Sequence, residues 1–139
     1  MKAAWYERNG PAREVMILGE VATPEPGPNQ VLVRIHASGA NPHDVKARSG
    51  WTGKALYADK VVPHADGAGF IEKVGAGVPA SRVGQRVWTF RADIARPGGG
   101  TAAEFAVVNA AHAVPLPDHV PLSTGASLGV PAITAHTAV

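Results

Sequence analysis

Apolar and polar positions alternate over short spans of this chain, and glycine or proline closes almost every span. In "QVLVRIHASGA" (30–40), Val31, Val33, Ile35 and Ala37 alternate with Leu32, Arg34 and His36, the period of a strand with one face buried. "AAWY", "VMILGEVATPEP", "GFIEKVG", "QRVWTF", "AAEFAVV" and "AHAVPLP" read as further short strands bounded by turn formers. Two stretches break the pattern. "NPHDVKARSG" (41–50) places Asn41 as N-cap, Pro42 at the first helical position, Asp44 in the first turn, Arg48 near the end and Gly50 as terminator, which predicts a short helix. From Pro121, "PLSTGASLGVPAITAHTAV" is small and apolar with a break at Gly129-Val130-Pro131, which predicts two helical pieces. "ARPGGGT" is expected to be a mobile loop. The fold class is therefore mainly β, a barrel or sandwich with short helices.

Composition narrows this picture. The 139 residues, 45% of them hydrophobic, suffice for one domain with a real core, or one domain and part of another. Thirteen basic and eleven acidic residues are interspersed, so the net charge of +2 leaves no nucleic-acid or membrane footprint. The absence of cysteine removes disulfides, thiol nucleophiles and cysteine-ligated zinc. No apolar run reaches the length of a membrane span, and "MKAAWYERNG" lacks a signal-peptide core, so a cytoplasmic location is expected.

Candidate chemistry concentrates in "PHADGAGFIEKVGAGV" (63–78). Gly75, Gly77 and Ala80 satisfy G-x-G-x-x-[GA], but a phosphate cradle needs a helix directly afterwards, and "VPASRVGQRVW" offers another turn and strand. His64 and Asp66, two apart, would share a face of an extended chain and make a pair of metal ligands, yet no third ligand stands at a recognisable spacing. A strand between two glycine turns explains the stretch best.

The same residues carry a resemblance. "PHADGAGFIEKVGAGV…VGQRVW", preceded by "EPGPNQVLVRIHASGANPHDVKARSG" and followed by "GGGTAAEFAVV" and "AVPLPDHVPLSTGASLGVPAITAHTAV", resembles the medium-chain dehydrogenase/reductase superfamily over the whole chain, with its parts in family order. The nearest branch by pattern is the zinc-independent, zeta-crystallin-like quinone oxidoreductases. Zinc alcohol dehydrogenases have a cysteine where this chain has "SGANPHD". Their zinc-binding histidine falls on Ala65 and their following glutamate on Asp66, with His64 one residue out of register. The resemblance implies no metal site.

It further implies a GroES-like, partly open β-barrel over residues 1–121, then connecting helices over 122–139 that lead into an absent Rossmann domain. The implied activity is hydride transfer from NADPH to a quinone or α,β-unsaturated carbonyl, with the isolated chain inactive and the full-length protein a homodimer. Asn41 of "GANPHD" matches an asparagine that lies against the nicotinamide and its ribose; its residue-level alternative is the helix cap. Thr134 matches a threonine near the cofactor's ribose-phosphate. The positions of two family tyrosines hold Lys46, which could meet a cofactor phosphate or substrate oxyanion, and Thr52, beside Trp51, which could stack on substrate. A stand-alone GroES-like binding domain without catalysis is the alternative.

Overall fold

The computed structural model describes residues 1–51, 53 and 55–139. Strand β1 (Lys2–Trp5) pairs antiparallel with β2 (Ile17–Glu20) across a short helix, α1 (Ala12–Val15). Then follow β3 (Gln30–Gly39), α2 (Pro42–Ser49), β4 (Asp66–Val74), β5 (Arg86–Thr89), β6 (Phe105–Asn109) and β7 (Ala113–Pro115). The last five strands form one antiparallel sheet in the order β6-β3-β4-β5-β7. Isolated bridges at Ala3–Ala103 and Tyr6–Val61 tie the small sheet to the rest, so the barrel is only partly closed.

The inner face of the large sheet collects Val31, Val33, Ile71, Val87, Ala106 and Val108, all buried. Each of these valines and Ile71 contributes about 1.5–3 kcal/mol when removed from water. The alternation along β3 fails at Leu32, which is as buried as its neighbours. There the register against β4 shifts by a bulge between Leu32 and Val33, and both faces of the strand are covered.

Two expectations need correction. "VMILGEV" is not one strand: Val15 closes the turn of helix α1, whose first carbonyl, on Pro11, accepts from Glu14 and Val15 N–H at 3.0 and 3.2 Å. Burial of Val15 against Tyr6 and Val61 outweighs its strand propensity. The glycine run of "ARPGGGT" is packed rather than loose. Gly98 and Gly100 are buried, Val62 N–H donates to the Gly98 carbonyl at 3.0 Å, and a Cβ on Gly100 would stand 2.1 Å from the Val62 oxygen. These glycines permit close approach of two backbones.

The helical pieces appear as α3 (Leu122–Gly125) and α4 (Ile133–Thr137), with a wider, π-helical stretch at Leu128–Ala132 kinked at Gly129. Ala126, Leu122 and Leu128 pack on Ala68, Trp88 and Leu116 of the sheet side, whereas Ile133 to Val139 are exposed. Among the described residues no helix is long and apolar enough to cross a membrane.

Candidate functional site

Helix α2 starts where the sequence predicts. Asn41 is extended at the cap, and Gly50 ends the helix in the left-handed region at φ 74°. Asp44, at the third helical position, accepts the Asn41 backbone N–H at 2.7 Å and completes a capping box. Its other oxygen accepts the His64 backbone N–H at 3.1 Å. Both oxygens of Asp44 are thus engaged by backbone donors, a structural duty rather than acid/base chemistry.

His64 itself sits at φ 76°, unusual for a non-glycine residue. Besides the Asp44 contact, its ring pairs with Ser38 Oγ at 2.8 Å and its carbonyl accepts Thr101 N–H at 2.9 Å. The turn this creates separates His64 from Asp66: they do not share the face of an extended strand, and the two-ligand arrangement considered from their spacing does not form. Among the described residues no three His, Cys, Asp or Glu side chains group as metal ligands.

Asp66 instead points inward and is 0% exposed. Its Oδ2 accepts Asn41 Nδ2–H at 2.9 Å and Val130 N–H at 2.9 Å, while Oδ1 is buried with no partner among the described residues. Burial pushes its carboxyl above the usual value, the bonds from Asn41 and Val130 oppose this, and the Asp44 and Asp93 charges add to it. Gly129 lies against the same carboxylate. One buried side chain therefore joins three segments: the start of β4, the cap of α2 and the kink that leads into α4.

Above this junction opens a cleft of about 380 Å³ lined by residues that include His43, Phe90, Asp93, Val130 and Thr134. A cavity of about 420 Å³ adjoins it, with Tyr6, Tyr57, Val61 and Arg96 on its walls. A third, about 290 Å³, is bounded by Lys46, Trp51 and Leu56. Lys46 Nζ stands 4.7 Å from the centroid of the Trp51 ring, so the ammonium is held on that aromatic face, which is itself 72% exposed. Tyr57 is 57% exposed overall, but its phenol is pushed up to about 12 by desolvation first and by Tyr6, Asp93 and Asp44 next. It remains a neutral hydrogen-bond donor at physiological pH.

The chain as a whole has known counterparts. The alcohol dehydrogenase GroES-like domain matches residues 27–118. The chain belongs to that family. The rat quinone oxidoreductase is 40% identical over 131 residues, 94% of this chain and 37% of the relative. A quinone oxidoreductase structure from Pseudomonas syringae superposes with a TM-score of 0.83 at 29% identity over 99% of this chain and 40% of that one. A mycobacterial structure complexed with NADPH gives a TM-score of 0.80 at 27% identity, covering 99% and 39%. The chain thus spans about two fifths of the length of these relatives, within the medium-chain dehydrogenase/reductase superfamily.

The GroES-like framework places the residues singled out in the sequence as follows. Asn41, 7% exposed, is tied to Asp66 and the helix end beneath the cleft, and Thr134 lines the cleft itself. Lys46 and Trp51 stand together in the neighbouring cavity. Thr52 lies outside the described residues. Two residues that line the cleft, His43 and Asp93, escaped the sequence reading. His43 occurs in no local histidine pair, and Asp93 enters the cleft only because Arg91 adopts φ 52° and Ala92 N–H bonds the Ala65 carbonyl at 2.9 Å. Neither signal is visible in a residue pattern.

Proposed function

We propose that this chain forms the acceptor-substrate side of an NADPH-dependent, zinc-independent oxidoreductase that reduces a quinone or an α,β-unsaturated carbonyl. The observation that carries the reading is the cleft between the first turn of α2 and the Val130–Thr134 segment, fixed from below by Asp66. The relatives named quinone oxidoreductase and the neighbour complexed with NADPH support it.

The lining suits the nicotinamide-ribose end of the cofactor. Phe90 and Val130 offer apolar contact, Thr134 a hydroxyl, and Arg91 a guanidinium for phosphate. A pyrophosphate cradle is a different matter: Gly75 to Gly77 is a turn followed by the three-residue 3-10 turn Ala80–Arg82, with no α-helix N-terminus to meet the charge. NADPH, when bound, supplies the hydride. The chain's own residues orient and enclose. Asn41 acts as a positioning residue, because its amide holds Asp66 and, through it, the Val130 side of the cleft. Lys46 and Trp51 offer a cation and a flat apolar face to an acceptor. Zinc independence rests on Ala65, buried beside the cleft in the ligand position, and on Asp66, turned away into its own hydrogen bonds.

The test is consumption of NADPH with naphthoquinone by the protein expressed from the full reading frame that carries this chain, after dialysis against a chelator. Saturable turnover that survives metal removal, with kcat lowered in Asn41→Ala, is expected. Turnover that requires added zinc, or none with either acceptor class, would overturn the assignment.

A further inference from the structure

We propose that His43, oriented by Asp93, donates the proton to the carbonyl oxygen of the acceptor as hydride arrives. The inference rests on the reductase reading above and assigns the group that completes the reduction.

Position is the first argument. His43 is exposed on the first turn of α2 and lines all three adjoining cavities. The cleft that carries Thr134 and Phe90 and the inner cavity that carries Tyr6 and Tyr57 have two lining residues in common, His43 and Asp93. An acceptor ring seated in the inner cavity, whose 420 Å³ is ample for a bicyclic quinone, therefore meets the cofactor side of the cleft between this imidazole and this carboxylate.

The second argument is independent. Asp93 Oδ1 is buried without a hydrogen-bond partner among the described residues. A buried acceptor lacking a donor is a penalty relieved when one arrives; no hydrogen bond joins His43 to Asp93 in this structure, but His43 lines the same two cavities and its ring can supply the donor. The backbone bond from Ala92 to Ala65 holds Asp93 in place. Other groups nearby are otherwise engaged. The Asp44 oxygens accept backbone N–H groups, the His64 ring pairs with Ser38, and Lys46 sits on Trp51. Tyr57 lines the inner cavity but not the cleft that carries Thr134.

The step balances. The acceptor carbon gains a C–H bond and an electron pair from the reduced nicotinamide, which is oxidised. The displaced π pair moves to the carbonyl oxygen. The His43 ring N–H breaks as the O–H forms, which gives the enol. From a quinone this enol is the keto tautomer of the hydroquinone, and it becomes the hydroquinone when the carbon that took the hydride loses a proton to water as the second carbonyl oxygen gains one. Water returns a proton to His43. His43 is then a catalytic residue and Asp93 a positioning residue.

The experiment begins with naphthoquinone titrated into the isotope-labelled chain and followed by NMR; the absence of cysteine removes thiol adducts. The His43 ring signals should shift saturably together with those of Tyr57. His43→Ala should weaken binding about tenfold with an unchanged amide spectrum, and His43→Gln, which keeps a donor, should restore most of it. In the full-reading-frame protein His43→Gln should keep KM but lose kcat by about a hundredfold. His43→Ala should be rescued in kcat by added imidazole, and Asp93→Asn should lower kcat less than His43→Ala. Saturable binding that shifts Tyr57 or Trp51 but leaves His43 unmoved, or an unchanged kcat in His43→Gln, overturns the role of His43 and spares the reductase reading. No binding of naphthoquinone or cyclohexenone anywhere on the chain overturns both.

Discussion

Replacing Gly129 by alanine tests the Asp66 junction most sharply. A Cβ at this position would lie 2.1 Å from Asp66 Oδ1 and 2.5 Å from its Cγ, far inside contact distance. The carboxylate cannot swing aside without giving up the hydrogen bonds from Asn41 and Val130, and the segment cannot lift without pulling Leu128 off Ala68, Trp88 and Leu116. Overpacking of this kind costs about 1–3 kcal/mol and a lost hydrogen bond to a charged group about 1.5–3 kcal/mol, so Gly129→Ala should destabilise by about 3 kcal/mol. Asp66→Ala removes all three atoms that the new methyl would strike. In that background the same substitution should cost less than about 1 kcal/mol, a coupling of about 2 kcal/mol. Urea denaturation of the four proteins of the cycle, followed by tryptophan fluorescence, gives the number. Effects that add within about 0.5 kcal/mol would refute the proposed contact.

Other outcomes follow from the same structure. Gly100→Ala, whose Cβ would meet the Val62 and Pro63 carbonyl oxygens at 2.1 and 2.4 Å, should destabilise far more than Gly84→Ala, where nothing lies within 4 Å and only the positive φ, about 1 kcal/mol, opposes the change. Equal losses in urea would return the glycine run to a loose loop. Asp44→Ala should lose about 2 kcal/mol, because it frees the Asn41 and His64 backbone N–H groups together, and circular dichroism on heating should show it. Asp66 holds its proton to higher pH when folded than at its ordinary 3.8, so the folded state binds more protons between the two values. Its contribution is present below the ordinary value and is lost as pH rises through the raised one. Stability measured against pH should therefore fall across that window relative to Asp66→Asn, and parallel curves would contradict the shift.

The strands and α2 were legible because each rests on local chemistry: alternation in 30–37, and Asn41, Pro42 and Gly50 as helix punctuation. The turn at Val15 and the packed glycines at 98–100 were not, since partners remote in sequence, Tyr6 and Val61 for one and Val62 and Pro63 for the other, decide them. The site divides the same way. Asn41, Lys46, Trp51 and Thr134 stand out by family pattern and do line or support the cavities. The inward turn of Asp66 requires the left-handed conformation at His64, and the approach of Asp93 requires that at Arg91, both uncommon for non-glycine residues and unreadable from identity alone.

The central claim is that an acceptor seated against this chain receives hydride from NADPH. NADPH carrying deuterium at its transferable position, incubated with cyclohexenone and the full-reading-frame protein, tests it directly by mass spectrometry of the product. The account predicts deuterium on the β-carbon of the saturated ketone in proportion to NADPH consumed, while in deuterated water with ordinary NADPH that carbon stays unlabelled. Label that appears at the β-carbon from solvent, or NADPH consumed without a saturated product, would contradict it.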